Sequence, residues 1–332
     1  MLRLIFLLLF PITLSAQLKR FEFSENKMGS PFGIIFYHTD SAEAAQIAKE
    51  CFSIVDSLNK IFSDYDSESE VSKLGLQTNH TDIKVSDELF AMILRSKDAW
   101  ARSGKTFDIT IGTLTRLWRK VKKEDRFPSQ AEIKAAKEST GFENLTINER
   151  SKTISFKKPG MGLDFGGIVP GYASQRVIDF LKTKNINIAL VDASGDIVTG
   201  DAPPEKNGWI IGINLPESEN QVWDKKLELK NFAVSTSGDV YRYIVHEGKK
   251  YSHIIDPRTG YGVTSQRNVT VITKFGADAD WLATACSILP IKKALALAKK
   301  EHAAVFIATL NKDKVVTYKS KSFDKFFQKK QP

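Results

Sequence analysis

Two oxygen-bearing side chains near the end of the chain have the spacing of a metal site. Asp280 and Thr284 lie four residues apart in a segment with helical periodicity, and residues four apart share one face of a helix. A carboxylate and a hydroxyl are hard donors, which suit Mg²⁺ when phosphate oxygens complete its coordination shell. An acidic first helical turn with a threonine bonded back to its own helix would leave the same pattern. Other segments must therefore decide between the two interpretations.

A glycine-rich loop runs into a predicted helix at residues 163–172. It contains Asp164, Gly166, Gly167 and Pro170. The unpaired N–H groups and the positive dipole end of a helix start attract anions, and proline suits the first helical turn. The loop has neither a Walker A sequence nor a dinucleotide-binding fingerprint. It is therefore a candidate pyrophosphate site on composition alone.

Three more segments have the polarity of a binding site. His253 ends a predicted strand, and an imidazole that ionises near neutral pH can serve as a general base. Glycines flank Thr106, Phe107 and Asp108, so the backbone can approach a ligand closely there. A tight turn into a strand would look the same. Tyr65 lies in a polar loop that follows a long helix, and its ring could lie against a flat ligand, although a solvated loop is the simpler interpretation.

The elements that position these residues are predicted from periodicity and capping signals. Helices are expected from Asp40 to Phe62, from Ser86 to Gly104, from Ser129 to Gly141, after Pro170, and at about 277–288 and 291–300. Strands are expected at Phe32–His38, in a hairpin at 144–157, at Ile186–Val191, through much of Trp209–Ile255, at Val269–Thr273 and at the end of the chain. Strands that cluster without regular βαβ alternation predict an α+β fold with a mixed or largely antiparallel sheet flanked by helices.

The N-terminus has the pattern of an export signal. Arg3 precedes the apolar run Leu4–Leu9, and Leu14-Ser15-Ala16 offers a small-residue cleavage site before Gln17. The apolar run is much shorter than the roughly 20 residues that a membrane-spanning helix needs. We expect a signal peptide over residues 1–16 and one domain over 17–332. The mature chain should have no transmembrane segment and lie in the periplasm or at the outer face of the inner membrane.

Composition excludes some classes of function. The net charge is +9, but the lysines are scattered and no helix-turn-helix, zinc-finger or stacking-platform pattern accompanies them, so we expect no nucleic acid partner. A basic surface would also suit an anionic dinucleotide. The two cysteines, Cys51 and Cys286, both fall in predicted helices. A disulfide and two buried thiols remain equally open.

Together and in this order, these segments resemble the ApbE family of FAD:protein FMN transferases. The resemblance extends from about Met28 to about Ala308 and is most specific at 164–172, 253–260 and 279–284. It implies an α+β roll-like sheet flanked by helices, with FAD in a cleft. The residues that would contact FAD are Met28, Tyr65, Thr106, Phe107, Asp108, Asp164, Pro170 and Ile255.

The resemblance also implies a reaction. Mg²⁺ would be held by Asp280, Thr284 and the backbone carbonyl of Gly167, and His253 would be the base. FMN would pass from FAD to a threonine or serine hydroxyl of an acceptor protein, and AMP would leave. The family's acceptors, such as a subunit of a membrane electron-transfer complex, carry an Asp-x-x-Ser/Thr-Gly-Ala-Ser/Thr motif. This chain lacks the motif and so resembles the donor enzyme.

Three positions depart from the family pattern. Pro170 stands where a lysine or glutamate is usual, Gln175 replaces a common aspartate, and Ser194 replaces a second glycine. The missing side chain at 170 puts one FAD contact in doubt and leaves the expected metal ligands and base intact. Two alternatives stay open: an FAD pyrophosphatase, in which water replaces the acceptor and the products are FMN and AMP, and a non-catalytic periplasmic FAD-binding protein.

Overall fold

The computed structural model describes residues 17–77, 81–216, 223–238, 243–311 and 314–329. The predicted signal peptide, residues 1–16, lies outside the described residues. The strands are β1 (Lys19–Lys27), β2 (Ser30–His38), β3 (Ile83–Lys84), β4 (Leu145–Asn148), β5 (Thr153–Phe156), β6 (Ala189–Ala193), β7 (Asp196–Thr199), β8 (Trp209–Ile211), β9 (Leu227–Leu229), β10 (Ala233–Gly238), β11 (Tyr243–His246), β12 (Lys249–Ser252), β13 (Arg267–Thr273), β14 (Ala304–Asn311) and β15 (Lys314–Lys319). The α-helices are α1 (Ser41–Phe62), α2 (Glu70–Gly75), α3 (Asp87–Arg102), α4 (Gly112–Lys123), α5 (Gln130–Glu138), α6 (Val169–Thr183), α7 (Gly276–Ile288) and α8 (Ile291–Lys300).

Helix starts follow the capping signals in the sequence. The side chain of Asp40 accepts a hydrogen bond from the Glu43 N–H at 2.8 Å, and Ser86 accepts one from Leu89 at 3.3 Å. Ser129 opens α5 with a complete capping box. These side chains satisfy N–H groups that the first helical turn leaves unpaired. The predicted starts of α1, α3 and α5 are therefore confirmed.

One large sheet organises the rest of the chain. Its eight strands follow the spatial order β1-β2-β6-β7-β10-β13-β14-β15, and every pairing among its described residues is antiparallel. Shorter pairings join β3, β5 and β4, β8 with β9, and β11 with β12. The sheet and its flanking helices confirm the α+β class.

Two apolar cores lie on opposite faces of this sheet because side chains alternate along each strand. In β14, Val305 and Ile307 belong to the core beneath the helices, whereas Phe306 belongs to the core of the opposite face. The helix-side core includes residues of α1, α3, α6, α7 and α8. A third, smaller core joins Leu114 and Trp118 of α4 to Ile255.

Some elements differ from the sequence-based predictions. The predicted strand at Ile186–Val191 begins later, at Ala189. Helix α4 and the first strand of the β1–β2 hairpin were not predicted at all. In α4 the apolar positions Leu114, Trp118 and Val121 are buried, but five basic residues dominate its sequence and obscure the narrow apolar stripe.

Candidate functional site

The N-terminus of α6 faces the middle of α7. The Gly171 N–H donates a hydrogen bond to Asp280 Oδ2 at 3.1 Å. A Cβ built on Gly171 would lie 2.3 Å from the Gly276 carbonyl oxygen, so only glycine permits this approach of the two helices. The glycine-rich loop therefore brings the positive end of α6 against the carboxylate predicted to hold a metal.

The other two predicted metal ligands lie at the same helix start. A Cβ on Gly167 would lie 2.9 Å from Thr284 Oγ1 and 3.3 Å from the Phe107 ring. The backbone of Gly167 therefore runs directly beside the Thr284 side chain. The structure thus gathers Gly167, Asp280 and Thr284 from two distant segments, as the resemblance implied.

The donor chemistry of these three residues fits Mg²⁺. A carboxylate, a hydroxyl and a backbone carbonyl are all hard oxygen donors, and Mg²⁺ commonly takes few protein ligands and completes its shell with phosphates and water. Among the residues that the structure describes, no three His, Cys, Asp or Glu side chains are arranged to hold a metal ion. A cation here would therefore draw on few protein carboxylates and on oxygens of the ligand.

A second carboxylate, absent from the sequence-based predictions, lies near Asp280. Burial raises the pKa of Asp280 well above its ordinary value, and the charge of Asp196 raises it further, while the Gly171 N–H lowers it. Burial raises the pKa of Asp196 to about 7, although Ser235 donates a hydrogen bond to it. A divalent cation beside these groups would favour their ionised forms. No sequence motif links residues 196 and 280; only the fold places them together.

The loop after α1 is an ordered turn. Ser63 Oγ accepts hydrogen bonds from the N–H groups of Tyr65 and Asp66 at 3.3 and 3.2 Å. Tyr65 is 75% exposed, and one face of its ring lies 4.2 Å from the guanidinium carbon of Arg119. Arg119 in turn forms an ion pair with Asp64. The Tyr65 ring is therefore exposed to solvent and is held in position by Arg119.

The turn at 103–110 holds its polar side chains in internal hydrogen bonds. Thr106 Oγ1 donates to the Ser103 carbonyl at 2.9 Å. Asp108 Oδ1 accepts from the N–H of Thr110 at 2.8 Å, and its Oδ2 accepts from the Phe142 N–H at 3.2 Å. Burial raises the pKa of Asp108, and these hydrogen bonds lower it again in part. The Asp108 carboxylate therefore stabilises the turn through its internal hydrogen bonds.

Asp164 connects this turn to the glycine-rich loop. Its N–H donates to the Ile109 carbonyl at 2.7 Å, and its Oδ1 accepts from the Gly166 N–H at 2.8 Å. Its side chain is only partly buried. Pro170 occupies the first turn of α6 and is likewise partly buried. Both predicted FAD contacts therefore lie along the entrance to the same helix.

The remaining predicted contacts lie on separate segments. Met28 occupies the β1–β2 turn with a positive φ of 52° and packs against the helix-side core. His253 directly follows β12 and is exposed. Ile255 is 4% exposed and belongs to the small core with Leu114 and Trp118.

Helix α4 fixes the turn that follows His253. Trp118 Nε1 donates to the Gly260 carbonyl at 2.9 Å, and a Cβ on Gly260 would meet Ile133 at 2.8 Å. A cavity of about 360 Å³ lies between segment 251–267 and the last turn of α7, where it reaches Ser287 and Ile288. These residues lie one turn beyond Thr284. The sequence-based predictions missed α4 as part of this region, although Leu114, Trp118 and Val121 have helical spacing.

The structure resolves the open question about the cysteines. Cys51 and Cys286 are both buried and free, and burial raises the pKa of each thiol to about 12. Both therefore pack as small apolar residues and are poor nucleophiles. Among the described helices, none is long and apolar enough to cross a membrane.

The fold and this arrangement define an α+β protein in which a helix N-terminus and a set of hard oxygen donors face each other. Comparison with protein-family models matches residues 28–307 to the ApbE family. The chain belongs to that family.

Relatives and solved structures agree with this placement. The chain is 28% identical over 299 residues to the FAD:protein FMN transferase of Klebsiella pneumoniae, covering 90% of this chain and 92% of the relative. It is 30% identical over 295 residues to that of Chlamydia trachomatis, covering 86% and 90%. The flavin transferase ApbE from Vibrio cholerae superposes with a TM-score of 0.83 at 26% identity, covering 93% of this chain and all of that one. The ApbE protein from Thermotoga maritima superposes with a TM-score of 0.85 at 27% identity, covering 94% of this chain and 100% of that one.

Proposed function

We propose that this protein is a Mg²⁺-dependent FAD:protein FMN transferase that acts on a serine or threonine hydroxyl of an acceptor protein and releases AMP. The observation that carries the proposal is the convergence of Gly167, Asp280 and Thr284 at the N-terminus of α6. The names of the curated relatives supply the reaction class.

The reaction is a displacement at phosphorus. The acceptor oxygen forms a bond to the phosphorus of the FMN half, the bond from that phosphorus to the bridging oxygen breaks, and AMP leaves with that oxygen. The hydroxyl proton passes to a base, a role that we assign to the exposed imidazole of His253. The N-terminus of α6 would stabilise the negative charge of the pyrophosphate.

Asp280, Thr284 and the Gly167 carbonyl would hold Mg²⁺ against the pyrophosphate. The ion would supply electrostatic stabilisation of the charge that develops on the phosphoryl oxygens and on the leaving AMP. Met28, Tyr65, Thr106, Phe107, Asp108, Asp164, Pro170 and Ile255 would bind the remainder of FAD.

The acceptor and the compartment form part of the same proposal. We assign the acceptor to proteins that carry an Asp-x-x-Ser/Thr-Gly-Ala-Ser/Thr motif, such as a subunit of a membrane electron-transfer complex. The pattern of residues 1–16 supports export with cleavage near Ala16. A single domain over residues 17–332 would then act outside the cytoplasmic membrane.

The decisive experiment incubates the mature chain with FAD, Mg²⁺ and a peptide bearing the motif. Intact-mass analysis should show the mass of FMN added to the peptide, and chromatography should show AMP in equal amount. The same peptide with alanine at the modified hydroxyl is the matched control and should gain no mass.

The alternative reactions predict different products. Release of both free FMN and AMP without a modified peptide would identify an FAD pyrophosphatase. Binding of FAD with neither product would identify a binding protein. Either result would refute the transferase proposal.

A further inference from the structure

Tyr65 is a large aromatic residue that is mostly exposed to solvent, and one face of its ring contacts Arg119. The residue is 75% exposed, and the guanidinium carbon of Arg119 lies 4.2 Å from the ring centroid. A guanidinium over an aromatic face is attracted by the ring quadrupole and stacks as a plane. The opposite face of Tyr65 remains available to another flat group.

Arg119 also forms an ion pair with Asp64, which orients its guanidinium. Its two terminal nitrogens contact the two carboxylate oxygens of Asp64, with Nη1 at 3.1 Å from Oδ1. The Arg119 side chain is 30% exposed and that of Asp64 13%, so the pair is largely shielded from water. Bidentate pairing of this kind fixes orientation as well as distance.

Burial and two neighbouring charges act on the Asp64 carboxylate. Burial raises the pKa of Asp64, the bond to Arg119 lowers it, and the nearby charge of Asp164 raises it again. Asp164 is one of the proposed FAD contacts. The guanidinium of Arg119 therefore offsets the charge of Asp64, and this attraction holds Arg119 in place beneath Tyr65.

Arg119 lies on α4, and the same helix also contacts the turn that carries Ile255. The preceding residue, Trp118, donates to the Gly260 carbonyl at 2.9 Å and packs with Ile255. Adjacent residues of α4 therefore fix two segments that carry proposed FAD contacts, the loop with Tyr65 and the turn with Ile255.

We propose that Arg119 is a positioning residue for flavin binding, which supports the inner face of Tyr65 so that the outer face stacks on the isoalloxazine ring. The inference rests on the proposed function only in taking FAD as the ligand. It can be tested by FAD binding alone, so its failure is distinguishable from failure of the transfer reaction.

The test is a double-mutant cycle with FAD as the probe, read by quenching of flavin fluorescence. Arg119→Met should raise the Kd for FAD about three- to tenfold, the range expected for loss of a cation–π support. Arg119→Lys keeps the charge but loses the planar stack and the bidentate pairing, so it should recover only part of the loss. Where transfer is measurable, KM for FAD should rise and kcat should stay near the wild-type value.

The double variant gives the sharpest readout. If Arg119 acts through Tyr65, adding Arg119→Met to Tyr65→Leu should not weaken FAD binding beyond Tyr65→Leu alone. Fully additive losses would show that Arg119 contributes independently of Tyr65 and would overturn the inference. An unchanged Kd in Arg119→Met would also overturn it.

A matched control exists elsewhere in the chain. Arg176 lies over the Tyr172 ring at 5.6 Å and pairs with Glu88, which is the same combination of groups in another place. Arg176→Met should leave the Kd for FAD unchanged, and an equal loss there would refute a specific role for Arg119.

Folding and ligand identity are controlled separately. If Arg119→Met does not fold, Asp64→Asn removes the charge that fixes Arg119 and should raise the Kd in the same range; an unchanged Kd would contradict the inference. Wild-type protein that binds FAD but never transfers FMN would refute the proposed function. The role of Arg119 would still be decided by the Kd values for FAD. Wild-type protein that does not bind FAD would overturn both.

Discussion

Replacing Asp280 by asparagine tests the proposed metal site with the least disturbance of the fold. The asparagine oxygen can still accept the hydrogen bond that Gly171 donates at 3.1 Å, and its shape matches that of aspartate. What disappears is the negative charge of a side chain that is 3% exposed. The substitution therefore separates the charge needed by a cation from the contact that joins α6 to α7.

The expected loss of activity is large and the expected loss of stability is small. Metal-ion stabilisation of phosphoryl transfer is worth several kcal/mol, so losing about 3 kcal/mol would slow transfer roughly 10²-fold. Burying a charged group is costly, so without Mg²⁺ the Asp280→Asn variant should be at least as stable as wild type. Asp280→Ala should instead lose about 1–3 kcal/mol of unfolding free energy, because the buried Gly171 N–H loses its partner.

Thermal unfolding with FAD present provides a readout independent of turnover. Mg²⁺ at 100 times its Kd would stabilise a protein that binds it only when folded by about 2.7 kcal/mol. Wild type should therefore melt at a higher temperature when Mg²⁺ is added, and Asp280→Asn should not. A variant with wild-type turnover at limiting Mg²⁺, or with the wild-type Mg²⁺ shift, would refute the assignment of Asp280.

Three further predictions address other parts of the chain. His253→Ala should reduce FMN transfer by about 10²- to 10⁴-fold and leave the Kd for FAD within a few-fold; loss of FAD binding would make His253 a ligand contact instead of the base. Protein recovered from its native cell should begin near Gln17 and lie outside the cytoplasmic membrane, and an intact Met1 form in the cytosol would contradict this. The hydrogen bonds of Glu132 to Arg126 and to the Ser129 cap lower its pKa from 4.5 to about 2. The resulting stabilisation is present above pH 4.5 and is lost as the pH falls through about 2. Glu132→Gln should therefore unfold more easily than wild type at neutral pH and converge with it in acid; an equal difference at all pH values would contradict this.

Local signals predicted much of the secondary structure. Asp40, Ser86 and Ser129 cap helices where the sequence indicated, because a side-chain cap acts within a few residues. The turn between β11 and β12 is likewise local, because Glu247 and Gly248 both have a positive φ, which glycine adopts readily. Helix α4 was missed because basic residues surround its narrow apolar stripe. The stripe is buried by residues from other segments, such as Ile255, and these contacts cannot be read from the helix itself.

The sequence by itself determined the family and the chemical types of the site residues. A carboxylate and a hydroxyl four apart on a helix, a glycine-rich helix start and a histidine after a strand are all local patterns, and their order along the chain carries the resemblance. Asp108 was among these candidates, and the structure engages its carboxylate in hydrogen bonds to Thr110 and Phe142. A local pattern does not reveal which partners a side chain already has.

Only the tertiary structure decided which groups meet. It places Asp196 near Asp280, brings Gly167 against Thr284, and sets Arg119 between Asp64 and Tyr65. These partners are separated in the chain by 54 residues (Tyr65 and Arg119) to 117 residues (Gly167 and Thr284). Long-range contacts of this kind arise from packing of helices on the antiparallel sheet, where side-chain volume and glycine at the closest approaches fix the geometry. No periodicity within one segment encodes that packing.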